Sequence, residues 1–136
     1  MVTNTDWQAK DKHLMSFAEA VTADFYSQDI QAIGIGLLVD MHEDSTGEMG
    51  FTLPSSSDIP WGLETFESYE ATKELWISMN REWKSLFFLE NLKTMEFRCF
   101  FFYNTEDMSP WRKTRNDYAG AKKKFLELYK ELEINE

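Results

Sequence analysis

Residues 95–103 read Met-Glu-Phe-Arg-Cys-Phe-Phe-Phe-Tyr, and no other stretch limits the fold as much. In an extended strand, successive side chains point to opposite faces. Phe97, Cys99, Phe101 and Tyr103 then point one way, and Phe100 and Phe102 the other. A strand that is apolar on both faces needs cover on both. It suits a central position in a sheet, although an order with this strand at an edge stays open. The chain has material for such cover, since 43% of its 136 residues are hydrophobic, including 11 Phe and 5 Trp. Burying one large apolar side chain contributes roughly 1.5–3 kcal/mol, so a core can form without crosslinks. Cys99 is the single cysteine, which excludes an internal disulfide and fits a reducing compartment.

The remaining elements follow from periodicity. Thr5 and Gln8 fit a capping box, and Leu14, Phe17, Ala18, Val21 and Phe25 recur at spacings of three and four. Together they predict a helix over residues 6–28. Ile33, Ile35, Leu37, Val39 and Met41 alternate with the residues between them, which predicts a strand. Turn chemistry in residues 43–47 leads to a second strand over 48–53, with Met49, Phe51 and Leu53 on one face. After a loop holding Pro54, Pro60, Trp61 and Gly62, the stripe Trp76, Met79, Trp83, Leu86 and Phe87 predicts a long helix over 66–92. The both-faced strand follows, then a loop with Pro110 and Trp111. A last helix over 116–132 carries Tyr118, Ala121, Phe125, Leu128, Tyr129 and Leu132.

The expectation is one α+β domain over residues 1–136 with element order α-β-β-α-β-α. It has two layers: three helices packed on the aliphatic face of a three-stranded, mainly antiparallel sheet. Gly34 and Gly36 fall on the other face, where Gly50 and Thr52 are expected to join them. Such a face is low and flat. It is either covered by a helix or open to a ligand or a second chain.

Charge narrows the function. The net charge is −10, and residues 1–70 hold 13 Asp and Glu against 2 Lys. Residues 71–136 hold 11 Asp and Glu against 12 Lys and Arg, so the acidity belongs to the first half. Phosphate repulsion disfavours nucleic acid there. Attraction to a basic protein is favoured, chiefly through faster encounter. The first residues show no charged segment followed by an apolar one, so a signal peptide is not expected. The longest apolar stretches, 32–39 and 97–103, are too short to span a bilayer, so a cytoplasmic protein is expected.

Few residues offer chemistry. Gly34-Ile35-Gly36 lies inside a strand without a third glycine opening a helix, and no phosphate-binding Gly-Lys-Ser/Thr sequence exists. His13 lies near the polar side of the first helix. His42, with Asp40, Glu43, Asp44 and Glu48, offers oxygen ligands and one imidazole, but the spacing is not that of a calcium loop, and it reads as a solvated acidic turn. Cys99 reads as a buried small hydrophobe. The carboxylates Glu64, Glu67, Glu70 and Glu74 could hydrolyse glycosides only in a cleft with suitable separations. Arg112, Lys113, Arg115 and Lys122 to Lys124 form a basic cluster, of which the three lysines read as the solvated face of the last helix. No catalytic residue, metal or cofactor is expected.

The order helix, hairpin (AIGIGLLVDMHEDSTGEMGFTL), loop, Trp-rich helix (ELWISMNREW) and aromatic strand (MEFRCFFFYN) resembles a known group. It is similar to the small immunity proteins that bacteria keep beside polymorphic or contact-dependent toxins, in particular the YezG-like group. The likeness covers residues 14–103 and is one of order, size and acidity. The helix over 116–132 departs from that layout. The resemblance implies a cytosolic protein that binds a toxin domain, often a basic nuclease, and blocks it. The residues expected to face such a partner are Asp40, Glu43, Asp44, Glu48, Asp58, Glu64, Glu67 and Glu70, with Trp61 as an aromatic anchor. Two other readings stand beside it: a DNA-mimicking inhibitor of a defence nuclease, and a small enzyme or ligand-binding module using the glycine-lined sheet face. The oligomeric state is open, because an edge strand can pair with another chain.

Overall fold

The computed structural model describes residues 12–42, 45–53, 61–104 and 117–134. Its elements are α1 (Lys12–Ser27), β1 (Gly34–His42), β2 (Ser45–Leu53), α2 (Phe66–Ser78), β3 (Ser85–Asn91), β4 (Glu96–Phe102) and α3 (Tyr118–Ile134). The capping-box pair Thr5 and Gln8, and the residues Glu43, Asp44 and Asp58, lie outside the described residues.

The α+β expectation holds, but the sheet has four strands, in the order β2-β1-β3-β4, with every neighbouring pair antiparallel. The extra strand comes from the stretch predicted as the end of a long helix. That helix stops at Ser78, and Asn80 and Arg81 take left-handed backbone angles, with φ of 61° and 57°. Arg81 N–H donates to Trp76 O at 2.9 Å and closes the helix end. Trp76 Nε1 donates to Trp83 O at 3.0 Å and ties the reversed chain back onto the helix. Leu86 to Leu89 are then buried as a strand apolar on both faces. The both-faced strand 96–102 is an edge rather than a centre.

Because β1 is antiparallel to both its neighbours, β2 and β3 run parallel to each other. They are linked through α2, with β1 inserted between them.

The two-layer expectation gives way to three layers. On one face Leu14, Phe17, Val21 and Phe25 of α1 pack on Ile35, Leu37, Val39, Leu86, Phe88, Cys99 and Phe101, with Leu75 of α2 in the same core. On the other, Ala121, Phe125 and Tyr129 of α3 cover Leu38, Phe51, Phe87, Leu89, Phe100 and Phe102. This double cover is what a sheet with two central strands and an edge strand apolar on both sides requires. The α1 stripe, the β1 alternation, the two faces of β4 from Phe97 to Phe102 and the α3 stripe from Tyr118 to Tyr129 agree with the sequence reading, whereas Tyr103 lies beyond the strand and is exposed.

The glycine face is covered. A side chain at Gly34 would collide with the Tyr129 ring, and a Cβ at Gly36 would lie 2.5 Å from Phe125 Cδ1. These positions are glycine because the rings of α3 lie directly on the strand backbone. Gly50 and Thr52 do not join them. The register pairs Gly50 with Leu37 and Thr52 with Ile35, which places both on the α1 side. There Gly50 accommodates Trp61.

Candidate partner-binding surface

The surface is organised by one buried carboxylate. Asp24, 1% exposed near the end of α1, reaches the start of α2. Its Oδ2 accepts hydrogen bonds from Ser68 Oγ (2.6 Å), Glu64 N–H (2.7 Å) and Thr65 N–H (3.0 Å). Its Oδ1 accepts from Gln28 Nε2 at 3.1 Å. The helix starts conventionally as well, since Thr65 is the N-cap and its hydroxyl accepts from Ser68 N–H at 3.2 Å. Burial by itself would raise the Asp24 pKa. The hydrogen bonds from Ser68, Thr65, Glu64 and Gln28 outweigh it and hold the carboxyl below its ordinary 3.8. A negative charge at a helix N-terminus is also favoured by the helix dipole. The corner where α1 meets α2 is thereby fixed.

Glu48 of β2 locks the adjoining loop. Its Oε1 accepts from Leu63 N–H at 3.2 Å and from the Tyr69 hydroxyl at 3.3 Å, and its Oε2 from Thr46 Oγ1 at 2.7 Å. Burial, and then the Glu48 charge, raise the Tyr69 pKa. Glu48 is thus engaged internally. Asp40, which accepts from Ser85 Oγ at 2.6 Å, lies one register step away on the opposite face of the sheet. Asp40 and Glu48 therefore do not converge on one site.

Trp61 is not a surface anchor. It is 5% exposed, packs edge-on against Phe25 with ring centroids 5.0 Å apart, and donates from Nε1 to Phe51 O at 3.0 Å. The buried ring seals the loop onto the sheet.

The remaining candidates fall together. Glu67 and Glu70 line an open groove of about 540 Å³ between α1 and α2, with Glu74, Ala71, Phe66, His13 and Ser16. Glu64 is exposed just before α2, its backbone N–H held by Asp24. Of the seven groove residues, the sequence reading places only Glu67 and Glu70 at a partner surface; among the other five, Glu74 and Phe66 matter most. Glu74 continues the Glu67 and Glu70 row at helical spacing, a signal the sequence did carry. Phe66, the first residue of α2, is 74% exposed, which no periodicity announces. The groove sets three carboxylates, which attract positive charge, beside an apolar ring. Among the described residues, no group of His, Cys, Asp or Glu side chains could hold a metal ion. No helix among them is long and apolar enough to cross a membrane.

The chain matches no family model, and no curated protein matches it.

Proposed function

We propose that the chain is a small acidic binding protein that docks a basic protein in the α1–α2 groove, and that it acts in the cytoplasm in the manner of an immunity protein, masking a basic toxin domain such as a nuclease. The observation that carries this reading is the row Glu67, Glu70 and Glu74 beside the exposed Phe66 ring. Like charges three and four residues apart on a helix each cost about 0.2–0.5 kcal/mol. A basic partner relieves that repulsion on docking. An exposed aromatic ring within a polar rim is the composition that protein interfaces favour. The excess of acid in residues 1–70 favours faster encounter with such a partner.

The docking surface in this reading differs from the sequence expectation. It centres on Glu67, Glu70, Glu74 and Phe66, with Glu64 at its margin. Trp61 and Glu48 hold the scaffold behind it. The reading that used the glycine-lined face for a ligand or a reaction is dropped, because α3 occupies that face.

The test is capture from the native host with the neighbouring gene product expressed. The wild type is compared with a Glu67→Lys/Glu70→Lys/Glu74→Lys variant whose folding is checked by circular dichroism. The proposal expects a basic partner on the wild type only, with association that weakens in salt. Equal capture and equal protection of cells by the reversed variant would sink it. Competition between DNA and the chain for the captured partner would turn the reading toward a DNA mimic.

A further inference from the structure

Glu90 of β3 is 3% exposed on the α1 side of the sheet. It is in register with Ile35 of β1 and Phe97 of β4. Thr22 of α1 is the hydrogen-bond partner it meets, with Thr22 Oγ1 2.5 Å from Glu90 Oε1. Thr22 Oγ1 also lies 2.8 Å from Ala18 O, one turn back along α1. Among the described residues, the ionisable group coupled to Glu90 is Cys99 of β4, diagonal to it on the same face, whose thiol is pushed well up by burial and then by the Glu90 charge. Among the described residues, no cationic side chain pairs with Glu90.

A hydroxyl has one hydrogen to donate, and a carbonyl oxygen has none. If Glu90 is ionised, two acceptors compete for the single Thr22 proton, and one short contact holds no hydrogen bond. If Glu90 is protonated, both contacts are satisfied: Thr22 donates to Ala18 O, and the carboxyl donates to Thr22 Oγ1. The neutral acid is thus the form in which both contacts are hydrogen bonds. Burial points the same way, pushing the Glu90 pKa up to about 7 against the opposing hydrogen bond from Thr22.

We propose that Glu90 is a proton-operated latch, which as a neutral acid donates its hydrogen to Thr22 and holds α1 on the sheet, and which on losing that proton to solvent loosens α1. On ionisation the Thr22 hydrogen must leave Ala18 O and turn to the carboxylate, which then remains buried without a countercharge. Because His13 and Ser16 of α1 form one side of the acidic groove, the latch also adjusts that groove. This last link rests on the docking proposal; the latch itself does not.

The test needs no partner. The Glu90 carboxyl carbon is followed by NMR in the labelled full chain from pH 4 to 9, and urea unfolding is measured over the same range for wild type and Glu90→Gln. The latch expects the carbon to titrate near neutrality, not in the ordinary carboxylate range. It also expects the folded-to-unfolded ratio of the wild type to fall by roughly 50- to 100-fold between pH 5 and 8. Glu90→Gln, which keeps a neutral donor, loses that part of the decline. A carboxyl already ionised at pH 5, or the same decline in Glu90→Gln, overturns the proposal. If Glu90→Gln fails to fold, the wild-type titration alone decides.

Discussion

Replacing Asp24 tests how the α1–α2 corner is held. In Asp24→Ala, the N–H groups of Glu64 and Thr65 lose the acceptor that now sits 2.7 and 3.0 Å away, and Gln28 loses one of its contacts. Ser68 Oγ keeps an alternative in Thr65 O at 3.0 Å, so its loss is partial. A buried donor left unsatisfied costs about 1–3 kcal/mol; both of these bonds are part-buried, so the lower part of that range applies to each and the total is about 2–4 kcal/mol. Asp24→Asn is milder. Its oxygen can take the Oδ2 position and keep three acceptor contacts, but without the charge that roughly doubles their strength, so about 2 kcal/mol is expected. The sign of the pH dependence follows from the lowered pKa. The unfolded state takes up a proton first as pH falls, so the contribution of the carboxylate is fully present above pH 3.8. It is lost as pH drops through the lower folded value. Urea unfolding at pH 7 and again below pH 3 therefore gives a wide gap between wild type and Asp24→Asn that narrows in acid. A loss under 0.5 kcal/mol in Asp24→Ala at pH 7, or a gap indifferent to pH, would refute the account.

Three other substitutions probe separate features. Gly36→Ala forces the Phe125 ring off β1 and is expected to cost about 1–3 kcal/mol in chemical unfolding, with the ring shift visible in aromatic NMR signals. Met95 holds φ of 65° in the β3–β4 turn and is exposed, so Met95→Gly is expected to raise stability by about 0.5–1 kcal/mol, read as a higher melting temperature. Phe66→Ala removes an exposed ring, so unfolding should change by no more than about 0.5 kcal/mol while partner capture is lost.

Much of the fold was legible where periodicity ran unbroken. The α1 stripe from Leu14 to Phe25, the alternation from Ile33 to Met41 and the α3 stripe from Tyr118 to Tyr129 each announce one element and one buried face. The failure came at residues 79–92. Trp76, Met79, Trp83 and Leu86 keep helical spacing straight through a chain reversal. The reversal is made by Asn80 and Arg81, without the glycine or proline that would have marked it. A short apolar run such as Leu86 to Leu89 cannot be told from a buried helical turn by its pattern. The face of Gly50 was misread because it depends on register with β1, which the sequence of β2 does not contain. Of the site, the acidic row of α2 was legible as charge. Asp24 was counted only as one more acid, since its role depends on partners 40 to 44 residues away. Trp61 looked like an anchor because a loop tryptophan carries no sign of burial.

The strand order has a kinetic consequence. β1 with β2, and β3 with β4, are local hairpins, whereas β1 meets β3 only by pairing residues such as Asp40 and Ser85, 45 positions apart. Closing that larger loop costs roughly 2 kcal/mol more chain entropy than closing a four-residue turn. The sheet is thus two quickly formed halves joined by one slow seam, and the seam sets the folding rate. Until it closes, the inner edges of β1 and β3, the two central strands, face water unpaired. At high protein concentration the hairpin of another molecule presents the same matching edge. Exchange of hairpins between chains is therefore the misassembly this topology invites.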